Sequence, residues 1–292
     1  MNDGHLPNLV VIGAMKCATT SLHYYLGLHP RISMSREKEL NFFVEEFNWG
    51  RGVAWYRRQF DGKADVYGEA SPSYASHPYY AGVPQRMASV VPDARLVYVL
   101  RDPLERLASH YRHDFSERTD ERSFEDAVRQ SDPGDRLICR SRYFLQIEQY
   151  RPFYPDDRIL LITSEDLHTA RTGTLGRVFA FLGVDPGFRS PRFRLALHMS
   201  LFRRRRTRAG ERLYRMRCMR LLDRLPPLLR WNLKKALFWP LSEPGPRPVF
   251  SDAVLGKLVP ILRDDVAALR QYSGRDFREW TTWAEAEKRF SI

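Results

Sequence analysis

The stretch Val10–Leu26, VVIGAMKCATTSLHYYL, restricts the possible folds more than any other part of the chain. It passes from β-branched residues through a short turn of small residues with one lysine into a segment that reads as a helix. A run such as Leu9–Gly13, with no polar face, suits a strand buried on both sides, as in the middle of a parallel sheet. The following TTSLHYYLGLHP predicts a helix from Thr19 or Thr20 that stops before Pro30. Strand, tight turn and helix start in that order aim backbone N–H groups and the positive helix end at one point. Lys16 adds a mobile charge there, and Thr19, Thr20 and Ser21 add hydroxyl donors. The segment is therefore fit to hold an oxyanion. An ATP loop of the GxxxxGK[ST] kind places its lysine late, next to a hydroxyl for magnesium. Here the lysine comes early and Cys17, Ala18, Thr19, Thr20 and Ser21 follow it. The same residues also suit an ordinary turn in which Thr or Ser caps the helix.

Further strands are expected over Asp65–Ser71, Ala94–Pro103 and Arg158–Leu167, and helices over Glu105–Phe115, Thr172–Val184 and Asp252–Tyr272. Strands alternating with helices imply an α/β fold with a P-loop-like, mainly parallel sheet flanked by helices. The character changes after about Pro186. We read residues 1–292 as a single domain, with an α/β core over about 8–185 and a basic helical C-terminal part over about 186–292. A second anion-binding pair stands out in YVLRDPLERLASHY. Arg101 falls at the C-terminal end of a strand, where open α/β sheets bind ligands. Ser109 follows eight residues later on the next helix. A turn salt bridge and a surface serine would explain the same two residues.

The net charge of +12 is concentrated. Residues 201–240 hold 13 Lys/Arg against Glu211 and Asp223, which is +11, leaving 12 − 11 = +1 for the rest. Arginine is favoured throughout, with seven Lys among the 47 basic residues, but a general bias does not gather charge in one segment. An anionic partner is implied there. Three readings fit the basic, partly amphipathic Glu211–Trp239: a helical cap on the domain, a surface for anionic lipid or a carrier-bound substrate, and an acidic-substrate or nucleic-acid groove, with nucleic acid the least favoured. Three cysteines, Cys17, Cys139 and Cys218, suggest no disulfide framework, and no Cys/His spacing suggests a metal site. No apolar run approaches the roughly 18 residues of a membrane span, and the first residues lack the pattern of a signal peptide. These features predict a cytoplasmic chain, or one bound peripherally to a membrane.

AMKCATTSL after a buried strand, with LRDPLERLASHY 85 residues after Lys16, resembles the sulfotransferases that use 3′-phosphoadenosine-5′-phosphosulfate (PAPS). LHPRISMSREKELNFF narrows the resemblance to the branch of heparan-type and many bacterial sulfotransferases. GEASPSY and RSRYFLQIEQYRPFYPDDRILLITSEDL fit later parts of that pattern, although some carbohydrate-acting members have lysine where this chain has Ala70. The resemblance covers about residues 8–185. It implies that the loop of Lys16, Cys17, Ala18, Thr19, Thr20 and Ser21 holds the 5′-phosphosulfate, and that Arg101 and Ser109 hold the 3′-phosphate. Arg204, in HMSLFRRRR, matches an arginine on the same phosphate. Alignment on Phe42 and Phe43 places the general base at Glu39, and Lys16 would stabilise charge on the leaving phosphate. Other sulfotransferases use a histidine base, for which His77, His110 and His113 are candidates. The implied reaction is sulfuryl transfer, without a metal, to a hydroxyl or amine of a carbohydrate, lipid or other metabolite. A nucleotide-dependent kinase and a non-catalytic basic RNA- or membrane-binding module are the alternatives.

Overall fold

The computed structural model describes residues 4–195, 204–216, 233 and 236–290. Five strands form one sheet: β1 (Leu9–Gly13), β2 (Ile32–Met34), β3 (Val66–Ala70), β4 (Arg95–Leu100) and β5 (Ile159–Thr163). Their order is β2-β3-β1-β4-β5, and every pairing is parallel. β1 lies in the centre, which is why all five of its residues are buried and apolar or Gly. The switch in strand order places the C-terminal ends of β1, β3 and β4 around one crevice, the usual ligand position in an open α/β sheet. Gly13, at φ 156°, ends β1; a Cβ there would lie 2.9 Å from the Ala75 Cβ and 3.1 Å from the Tyr98 ring.

The helices follow in turn: α1 (Thr19–Leu26), α2 (Gly52–Arg57), α3 (Val83–Val90), α4 (Pro103–Glu117), α5 (Phe124–Gln130), α6 (Arg136–Cys139), α7 (Tyr143–Tyr150), α8 (Ser164–Thr169) and α9 (Arg171–Leu182). Near the C-terminus come α10 (Arg208–Arg215), α11 (Asp252–Ser273) and α12 (Thr281–Arg289). α4 starts at Pro103, at the first helical turn, because Asp102 accepts the Leu104 and Glu105 N–H groups at 3.0 and 3.2 Å. The second oxygen of Asp102 accepts the Trp283 N–H at 2.8 Å, tying α12 to the start of α4. Asp265 on α11 similarly accepts the Phe144 and Leu145 N–H groups of α7 at 3.0 and 2.8 Å. The C-terminal helices are thus stitched to the sheet layer by two buried carboxylates and by the fully buried Trp280 and Trp283.

Four expectations change. The strand expected over Ala94–Pro103 ends at Leu100, and Pro103 opens α4 behind its Asp102 cap. The strand expected over Arg158–Leu167 ends at Thr163, whose hydroxyl accepts the Asp166 N–H and starts α8. Edge strand β2 was not anticipated, being three residues long with one apolar side chain buried. Arg204–Arg206 (β6) pairs antiparallel with Ser242–Pro244 (β7), a two-stranded ribbon within a region expected to be helical. Most of the basic amphipathic segment lies outside the described residues.

Candidate active site

At the C-terminal ends of β1, β3 and β4 lies a cavity of about 910 Å³. Its lining brings together Lys16, Ala18, Thr19, Thr20 and Ser21 from the β1–α1 turn, Glu39 and Asn41 from the loop after β2, and Arg101, Glu105, Ser109, Arg112 and His113 from β4–α4. Among the described residues, six non-glycine positions have positive φ, and four of them line this cavity: Lys16 (71°), Ala18 (63°), Glu39 (65°) and Asn41 (48°). Left-handed backbone costs energy at such residues and persists where the surroundings enforce it, commonly at ligand sites.

Of the two readings left open for this turn, a Thr or Ser N-cap is not the one the structure has. The N-cap of α1 is Ala18, whose side chain cannot accept from the first-turn N–H groups. By contrast α4, α5, α6, α8, α10 and α11 each begin with an Asp, Ser or Thr side chain that does. The α1 terminus thus presents polar N–H groups to the cavity, the arrangement that binds an anion. Cys17 departs from its expected place in the cradle. Its side chain is buried away from the cavity, with Sγ 3.9 Å from the Tyr143 hydroxyl, and its N–H goes to the Ala14 carbonyl at 3.2 Å. Burial pushes its thiol up to about 12, so it acts as a space-filling residue and not a nucleophile.

Arg101 and Ser109 both line the cavity. The Tyr143 hydroxyl donates to the Arg101 carbonyl at 2.7 Å, and the Asp102 N–H donates to Glu165 at 2.9 Å, which fixes the backbone where β4 becomes α4. The Arg101 guanidinium reaches Glu105 at 3.1 Å. Ser109 is 1% exposed, and its Oγ has no hydrogen-bond partner. Such an orphaned buried hydroxyl is uncommon, and a ligand oxygen would satisfy it. Arg112, one helical turn beyond Ser109, also lines the cavity, and its Nε has no partner. Burial and then the charge of Arg101 lower its proton affinity. Two guanidiniums lining one cavity, with one carboxylate among them, suit a ligand with more than one negative charge.

Glu39 stands at the cavity wall. Its N–H donates to the Ala70 carbonyl at 3.0 Å, and its carboxylate pairs with Lys38. His113 also lines the cavity; His110 is fully buried against Arg106 and Asp114, and His77 lies outside the lining. Arg140 is 5% exposed and lines the cavity, with its Nε on the Ser76 hydroxyl at 2.8 Å. Sequence reasoning missed Arg112 and Arg140. The i,i+3 spacing from Ser109 to Arg112 was a usable signal; nothing local marks Arg140. The backbone of Arg204 lies in β6, which packs beside α4, and its side chain is outside the described residues.

A strand–turn–helix anion cradle and an arginine–serine pair facing one crevice define a class of nucleotide-using α/β transferases. The family model of the sulfotransferase domain matches residues 6–209, and the chain belongs to that family. It is 25% identical over 201 residues to human bifunctional heparan sulfate N-deacetylase/N-sulfotransferase 2, covering 62% of this chain and 22% of that one. It is 30% identical over 189 residues to human heparan sulfate glucosamine 3-O-sulfotransferase 3B1, covering 61% and 46%. A membrane-associated sulfotransferase, kil1, of Dictyostelium discoideum is 38% identical over 111 residues, covering 36% and 22%. The chain thus spans less than half the length of these curated relatives. The crystal structure of a sulfotransferase from Alicyclobacillus acidocaldarius shares the fold, with a TM-score of 0.63 at 24% identity over 94% of this chain and 99% of that one.

Proposed function

We propose that the chain transfers a sulfuryl group from PAPS to a hydroxyl or amine of an acceptor, with a carbohydrate the first class to test. The observation that carries this reading is the meeting, in one cavity, of two anion-binding sets 85 residues apart: Lys16 with the uncapped α1 terminus, and Arg101 with the orphaned Ser109 hydroxyl. Lys16 and the N–H groups from Ala18 to Ser21 would hold the 5′-phosphosulfate, while Arg101 and Ser109, joined by Arg112, would hold the 3′-phosphate. The donor supplies an activated sulfuryl group, so the protein's task is to position the reactants and stabilise charge. Lys16 neutralises charge at the leaving phosphate, and Glu39 accepts the proton of the attacking group. The heparan sulfate relatives favour a glycan acceptor. The chain lacks a lysine at Ala70, which is fully buried, but Arg140 supplies a cation to the same cavity.

The direct test is thermal stability with 3′,5′-adenosine bisphosphate against ATP plus magnesium. At 100 times its dissociation constant the bisphosphate should add about 2.7 kcal/mol without added metal. Arg101→Ala should reduce that shift. A shift with ATP and none with the bisphosphate would instead support a kinase.

The basic segment supports a second, peripheral role. Among its described side chains, Tyr214, Met216, Leu233, Leu237 and Trp239 are exposed, in a stretch of sequence carrying +11. We propose docking on an anionic lipid surface. Co-sedimentation with phosphatidylserine vesicles, absent with phosphatidylcholine alone and lost at about 1 M salt, is expected. Equal binding to both vesicle types would overturn it. Among the described residues no helix is long and apolar enough to cross a membrane.

A further inference from the structure

We infer that Glu69, which does not reach the cavity, is the positioning residue of the loop that carries Glu39. The inference rests on the reading of Glu39 as the base. Glu69 is fully buried near the end of β3, and three hydroxyls converge on its carboxylate: Tyr56 at 2.5 Å and Tyr74 at 2.8 Å on one oxygen, and Ser71 at 2.6 Å on the other. Each of these three residues also holds one of three consecutive loop residues. Ser71 Oγ accepts the Asn41 N–H at 3.0 Å, the Tyr56 ring stacks on Phe42 at 4.2 Å and 9°, and Tyr74 Oη accepts the Phe43 N–H at 3.4 Å. The Glu39 N–H is fixed to the carbonyl of Ala70, the neighbour of Glu69.

Burial pushes the Glu69 carboxyl up, while the three hydroxyls and the Lys38 charge favour its ionised form, in which it only accepts hydrogen bonds. It therefore turns all three hydroxyl hydrogens inward and leaves the Ser71 and Tyr74 lone pairs facing the loop N–H groups. Burial, and then the charge of Glu69, push the Tyr56 and Tyr74 hydroxyls well above the usual phenol value, so both stay donors. The charge facing this cluster from the loop is Lys38, which also pairs with Glu39. Positive φ at Glu39 and Asn41 means that the loop conformation has to be enforced from outside, and the fan of hydroxyls on Glu69 does this.

Glu69→Gln keeps the shape and replaces one acceptor by an N–H₂ group. With the amide oxygen kept on the two tyrosines, the Ser71 hydroxyl hydrogen lacks its acceptor and turns towards the loop. The experiment measures bisphosphate release from PAPS by the full chain, with heparosan, a phenol or water as acceptor, for Glu39→Gln, Glu69→Gln and the double variant. Glu69→Gln should lower kcat about 10- to 100-fold, the scale of a misplacement of about 1 Å. It should leave the donor KM and bisphosphate affinity within about twofold, and the double variant should match Glu39→Gln alone. Losses that multiply in the double variant, or weakened bisphosphate binding, would mark a general structural role and overturn the inference. An unchanged kcat in Glu39→Gln would remove the base assignment itself, a separate outcome. Should Glu69→Gln fail to fold, Ser71→Ala removes only the strut to Asn41. It should lower kcat and speed exchange of the Asn41 amide, and an unchanged rate of both would count against the inference.

Discussion

Glu39→Gln is expected to lower kcat by about 10²–10⁴, the range for removal of a positioned general base. Bisphosphate affinity should stay within about twofold, because the residues assigned to the donor lie on the β1–α1 turn, at the end of β4 and on α4. The substitution is nearly isosteric: an amide can still receive the Lys38 hydrogen bond, but it cannot take up a proton. The backbone tie from the Glu39 N–H to Ala70 is unaffected. The Lys38 contact was the rival explanation for this residue, and it exists. A surface ion pair of this kind contributes little to stability, however, whereas position 39 also lines the cavity on a strained backbone. A kcat within about threefold of wild type would move the base to the other titratable groups of the cavity, of which His113 on α4 is the first to test.

Much of this site was legible because its parts obey local rules. The run Leu9–Gly13 read as a strand buried on both faces, and it is the central one. The strand leading to Arg101 and the helix carrying Ser109 were both expected, and they are there as β4 and α4. The helix ending at Gly183 was announced by a glycine that takes left-handed φ, 74°. What stayed hidden depends on tertiary placement. Thr19, Thr20 and Ser21 carry side chains that favour N-caps, so propensity left a self-capped turn open beside the anion cradle. The fold makes Ala18 the cap, a residue with no side-chain acceptor. Cys17 sits within the loop in sequence but turns into the core, as a neutral thiol can where an ionisable neighbour could not. Glu69 looked like one more strand residue in GEASPSY. Its meaning lies in Tyr56 and in the loop of Asn41 to Phe43, partners 13 to 28 residues away that no periodicity connects to it.

Lys16→Ala is expected to lower kcat by about 10²–10³, the cost of removing one preorganised group that stabilises charge on the leaving atom. The loss should fall mainly on kcat, with a smaller change in bisphosphate affinity, because charge at the bridging oxygen develops as the bond breaks. Alanine is the informative replacement here. Lys16 sits at φ 71°, and alanine bears the same left-handed strain, so the turn keeps its backbone preference and loses only the ammonium. Glycine would relax the strain and loosen the turn, mixing two effects. Arginine should restore little: a planar fork on a longer stem does not reproduce a compact ammonium. The measurement is PAPS turnover at saturating donor, alongside bisphosphate binding by calorimetry. A kcat within about threefold of wild type would assign transition-state stabilisation to the α1 terminus and Arg140 and leave Lys16 a binding role only. A binding loss as large as the kcat loss would make Lys16 an anchor felt equally before and during transfer.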